Sequence, residues 1–152
     1  MVQSGVNFEI VGPFARRGGP RAPGGWWIGT EMDIELAAND VVRPDIAGWR
    51  RERVPELPKT FPCRTVPDWV CEVLSPSTAA RDRGPKATLY YGAGVAWFWV
   101  VDPANRVVEV LRRGERAWEV AATSGGGMAR LPPFEAAEIF VGRFFGEDPP
   151  ED

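Results

Sequence analysis

The sequence predicts an α/β domain on a mixed β-sheet, with one strand–helix–strand crossover flanked by antiparallel hairpins. Three observations carry this. Residues 95–101 (VAWFWVV) are apolar on both faces, as in a central strand covered on both sides. Residues 67–74 (PDWVCEVL) read as a second strong strand, and a helix over Arg83 to Tyr91 fits between the two. Strands joined in this way lie parallel, with a right-handed crossover. At 152 residues the chain is expected to form a single domain that buries its core without a disulfide or structural metal.

The other elements follow in order. Residues 1–25 read as a short N-terminal segment, with one or two helical turns between Val6 and Phe14 and a loop over 16–25 (RRGGPRAPGG). Residues 26–36 (WWIGTEMDIEL) have strand character, 37–40 (AAND) turn the chain, and 41–49 (VVRPDIAGW) return as the second strand of a hairpin. Pro44 inside that strand implies an edge position or a bulge. Residues 50–65 form a proline-containing loop. After the crossover, DPAN at 102–105 is a turn, Val107 to Arg112 a strand, and Trp118 to Thr123 the last clear meander strand. SGGG at 124–127 reads as a flexible loop, 134–145 as a short apolar segment, and 146–152 as a disordered tail.

Composition excludes several chemistries. Histidine is absent, which removes imidazole acid–base catalysis, Ser-His-Asp and Cys-His triads and most zinc sites. The formal charge of −3 argues against a uniformly basic nucleic-acid binder, although a local patch acts within its own screening length. Cys63 and Cys71 read as free thiols of a cytoplasmic protein. No apolar run reaches the ~18 residues of a membrane span and no signal peptide opens the chain, so no membrane contact is expected. Of the 18 basic residues, Lys59 and Lys86 alone are lysine. Lysine, unlike arginine, can lose its proton in a protein.

Two Pro-Asp pairs occur, Pro44-Asp45 and Pro67-Asp68, and Glu72 follows the second on its strand. Alternation puts Asp68, Val70, Glu72 and Leu74 on one face and Trp69, Cys71 and Val73 on the other. A carboxylate amid Val70, Val73 and Leu74 is costly to bury unless paired or bound to metal. Asp68 lies four residues away, roughly 13 Å along an extended strand, too far to share a cation whose ligands sit about 2.0–2.1 Å from it. Asp45, on another strand, can be brought alongside. Asp68 reads as structural. With Asp82 as N-cap, Arg83, Gly84 and Pro85 fill the first helical positions, where proline is tolerated. Lys86 then shares a sheet-facing stripe with Leu89 and Tyr90, near the end of the Glu72 strand. A lysine there orients or deprotonates a water. The competing reading is a plain ion pair.

The run 67–103, PDWVCEVLSPSTAARDRGPKATLYYGAGVAWFWVVDP, with Val42-Arg43-Pro44-Asp45, resembles the Uma-two family of putative restriction endonucleases within the PD-(D/E)XK nuclease superfamily. The similarity extends from about Trp26 to about Phe145. It implies a restriction endonuclease-like fold. It assigns Asp45 to the family's Pro-Asp aspartate and Glu72 to its (D/E)XK acid, and it puts Leu74 where the superfamily's lysine usually stands. Lys86 on the following helix fits the relocated lysine. The family's longer N-terminal helix and hairpin have no full counterpart before Trp26. The implied function is a metal-dependent DNA endonuclease. Asp45, Glu72 and the Val73 carbonyl hold Mg²⁺ or Mn²⁺, Lys86 handles the attacking water, DNA is the partner and a homodimer cuts both strands. The alternative is a catalytically inactive, dimeric DNA-binding or scaffold protein that kept the fold.

Candidate DNA contacts are weaker. Ser75, Ser77 and Thr78 follow the acid strand and either touch a phosphate or, by preference, cap the helix. Arg81 and Arg83 flank the expected site. The cluster Trp49-Arg50-Arg51-Glu52-Arg53 tracks a DNA backbone, with Trp49 stacking on a base, or, by preference, forms a solvated loop or salt-bridged edge.

Overall fold

The sheet is built so that its two faces bury different layers. The computed structural model describes residues 2–18, 23–37, 40–75 and 79–151, and of residues 79–83 the backbone alone. Helix α1 (Val2–Phe14) leads into β1 (Trp26–Thr30), β2 (Ile34–Ala37), β3 (Asp40–Val42) and β4 (Ile46–Arg50). Then come β5 (Trp69–Val73), helix α2 (Ala79–Ala93), β6 (Trp97–Asp102), β7 (Val107–Arg113), β8 (Trp118–Ser124), β9 (Met128–Ala129), β10 (Ile139–Phe140) and a 3-10 helix (Val141–Phe145). Six strands form the main sheet in the order β1-β4-β5-β6-β7-β8. All neighbours are antiparallel except β5 and β6, the crossover pair.

Alternation along these strands sorts the core as the sequence predicts. Trp69, Cys71, Trp99 and Val101 point to the layer holding Val6, Ile10 and Phe14 of α1 with Phe134 and Phe144. Val70, Leu74, Phe98 and Val100 point to the other layer, with Tyr90 of α2, Ile34 of β2 and Cys63. The rings of Trp69, Trp99 and Phe134 meet edge to face. Gly48 of β4 lies where a Cβ would come within 3.0–3.1 Å of Trp69, Ile28 and Trp26. The absence of a side chain there lets three large side chains close over the strand.

Four expectations need correction. The N-terminal helix covers 13 residues, not one or two turns. Its intrinsic propensity is poor, but Val6, Ile10 and Phe14 recur every four residues and are buried, and such packing outweighs propensity. The long hairpin is broken. β2 and β3 pair in a separate two-stranded sheet, while β1 pairs with β4 in the main one. Pro44 therefore lies in the bend between β3 and β4 rather than inside a strand, and β4 is an interior strand. Helix α2 starts at Ala79, so Asp82 is not its N-cap and Pro85 sits inside it. The missing proline N–H there removes one helical hydrogen bond.

Candidate functional site

The site forms where the start of β4 meets the end of β5. Asp45 directly precedes β4, and its Oδ2 accepts a 2.7 Å hydrogen bond from the backbone N–H of Val73. That bond ties Asp45 to the residue beside Glu72. Its backbone is pinned as well. The Asp45 carbonyl accepts from the Glu31 N–H at 3.1 Å and from Gln3 Nε2 of α1 at 3.2 Å. Glu31 adopts φ 51°, the left-handed region, which is uncommon for a residue with a Cβ. The turn that breaks the long hairpin thus delivers an N–H to Asp45. Neither Gln3 nor Glu31 stands out in the sequence, since neither belongs to a charged or periodic pattern.

Glu72 is the charged side chain that is buried among the described residues, at 6% exposure. Its two oxygens have different partners. Tyr90 Oη donates to Oε1 at 2.6 Å, and Lys86 Nζ stands 3.4 Å from Oε2. Burial pushes the Glu72 carboxyl up to about 7; the Tyr90 bond and the Lys86 charge pull it down, and the Asp45 charge pushes it further up. Burial and the adjacent carboxylates also push the Tyr90 phenol far up, so it stays protonated and donates. Cys71, on the opposite face of β5, is likewise pushed up by burial and is no nucleophile.

The structure therefore brings Asp45, Glu72, Val73 and Lys86 together, as the sequence reading expects, and adds Tyr90. Glu72 is buried with Lys86 against it, and Asp45 is half-buried beside them. Among the described residues no group of three or more His, Cys, Asp or Glu forms a complete metal cage. The donor set nonetheless fits a hard cation of the Mg²⁺ type. Such an ion takes one or two carboxylates and completes its shell with carbonyls, water and substrate phosphate. A divalent charge would also offset the cost of burying Glu72.

The other candidates are scattered. Ser77 and Thr78, and the side chains of Arg81, Asp82 and Arg83, lie outside the described residues. Ser75 is exposed just beyond Leu74. Arg50 and Arg51 sit at the far end of β4, about 16 Å from Asp45 along the strand. Their guanidinium groups lie over the rings of Trp26 at 4.6 Å and Trp27 at 3.8 Å. Trp49 is fully buried and donates its indole N–H to the Thr65 carbonyl, so it stacks on no base. Asp68 is structural: its carboxylate accepts from the Arg50 N–H and from Arg53 Nε.

A family model, Uma2, described as "Putative restriction endonuclease", matches residues 3–140. No curated protein matches the chain. Among solved structures the chain is similar to a crystal structure described as a putative nuclease belonging to DUF820 from Anabaena variabilis ATCC 29413. Identity is 19%, the match covers 95% of this chain and 78% of that one, and the TM-score is 0.63. At that identity the likeness shows the fold: a nuclease-like α/β architecture.

Proposed function

The chain belongs to the Uma2 family of putative restriction endonucleases, and on that premise we propose that it is a metal-dependent DNA endonuclease working through Asp45, Glu72 and Lys86. One observation carries the reading. Glu72 is buried at 6% exposure, within electrostatic reach of Asp45, with one ammonium group 3.4 Å away. A carboxylate buried this deeply beside a second one is costly, and a cation held between them lowers that cost.

On this reading Asp45 and Glu72, with the Val73 carbonyl, hold Mg²⁺ or Mn²⁺. The bound cation supplies Lewis-acid polarisation of the scissile phosphate and offsets charge that builds on its oxygens. Asp45 and Glu72 fix the position, each restrained by its own hydrogen bonds. Lys86, 31% exposed at the mouth of the site, orients the attacking water. The water oxygen bonds to phosphorus, the bond to the 3′-oxygen breaks, and a proton passes to that oxygen. The products are a 5′-phosphate and a 3′-hydroxyl. Ser75, Ser77, Arg81 and Arg83 are the proposed phosphate contacts. DNA is the proposed partner, and pairing of two copies in the cytoplasm to cut both strands belongs to the same proposal. No helix among the described residues is long and apolar enough to cross a membrane.

The test is incubation of the purified chain with supercoiled plasmid and Mg²⁺ or Mn²⁺. Cation-dependent nicking that is lost in Lys86→Ala supports the reading. DNA binding without cleavage under either ion points to the non-catalytic module instead.

A further inference from the structure

Resting on the reading of a cation held by Glu72, we propose that Tyr90 is a positioning residue: its hydroxyl anchors one Glu72 oxygen, so that the other is presented to the cation and Lys86 is left for the water. The observation is the asymmetry of the two contacts. Tyr90 Oη lies 2.6 Å from Oε1, a short bond to a carboxylate. Lys86 Nζ lies 3.4 Å from Oε2, at the outer limit of a hydrogen bond. The grip on Glu72 therefore comes from the tyrosine.

Tyr90 is also the better clamp mechanically. Its ring is fully buried and stands edge-on to Phe98 at 5.2 Å between centroids. The hydroxyl thus has a fixed position relative to the sheet. Lys86 is partly exposed and hangs on a flexible four-carbon stem, which cannot hold a partner to a fraction of an ångström. A carboxylate without such an outer anchor rotates about its last bond, and its metal affinity falls. The two side chains on α2 therefore divide the work. Tyr90 governs cation affinity, and Lys86 governs turnover.

Tyr90→Phe removes the hydroxyl and keeps the ring. Mn²⁺ is titrated into the full chain by calorimetry, and cleavage is measured against Mn²⁺ concentration. The expected result for Tyr90→Phe is a Kd for Mn²⁺ raised about 10–100-fold, with kcat at saturating Mn²⁺ nearly retained. The expected result for Lys86→Met is the reverse: kcat falls while the Kd does not rise. Thermal unfolding of the cation-free variants verifies that both fold. If the parent takes up no Mn²⁺, the cation reading itself fails. If the parent binds and Tyr90→Phe binds equally well, the role of Tyr90 is overturned while that reading stands. Should Tyr90→Phe not fold, Phe98→Leu loosens the same ring with its hydroxyl in place. Its Kd must then rise in the same direction, and an unchanged value overturns the proposal.

Discussion

The two ends of the β4–β5 ladder carry the same dipeptide in different surroundings. At one end Asp68 follows Pro67, and its carboxylate is met by the Arg50 N–H at 2.8 Å and by Arg53 Nε at 2.9 Å. At the other end Asp45 follows Pro44 and is met by the Val73 N–H at 2.7 Å, with the buried Glu72 as its neighbour. One aspartate is neutralised by a guanidinium group and closes the sheet. The other stands beside a second carboxylate, the buried Glu72. On the proposed function the second is the end of the ladder that would hold the cation.

That contrast is broken or sharpened by four changes. The largest effect is expected from Glu72→Ala, which removes several kcal/mol of cation-borne transition-state stabilisation and so lowers plasmid cleavage by about 10³-fold or more. Asp68→Ala leaves the cleavage rate unchanged. Next comes pH. Glu72 is pushed up to about 7 in the folded chain, above the ordinary carboxyl value of ~4.3. The folded state therefore binds the extra proton, and the stability this provides is present at low pH and lost as pH rises to about 7. Without cation, Glu72→Gln is expected to gain about 3 kcal/mol on the parent between about pH 4 and about pH 8, read from urea unfolding. Asp68→Ala is expected to cost about 1–3 kcal/mol of unfolding free energy, because it strands a backbone N–H and a guanidinium group. The smallest effect belongs to Arg53→Ala. That guanidinium is 45% exposed, so about 1 kcal/mol or less of unfolding free energy is lost, read from the shift of the denaturation midpoint.

Much of this was legible in the sequence because strand alternation is strict. Val70, Glu72 and Leu74 on one face, and Trp69 and Cys71 on the other, followed from counting by two, and the core is divided that way. Separating Asp45 from Asp68 needed only the extended length of four residues. The rest depended on backbone that no local pattern reports. The full length of helix α1 is not legible because its glycines, Pro13 and β-branched residues are poor helix formers; packing holds it, including the close approach of Gly5 to the Arg143 carbonyl. The break at Glu31 was hidden because glutamate seldom takes a positive φ. The sequence does not show where α2 starts, because Pro85 reads as a first-turn residue, whereas it lies inside the helix. Lys86 and Tyr90 kept their sheet-facing positions regardless, since their spacing does not depend on where the helix begins.

The most direct measurement is calorimetric titration of Mn²⁺ into the parent chain, Asp45→Asn, Glu72→Gln and Asp68→Ala. One site in the parent, retained in Asp68→Ala and absent from the other two, is the expected result. A parent that takes up no Mn²⁺, or a site that survives intact in Glu72→Gln, contradicts the convergence of these two carboxylates on a single cation.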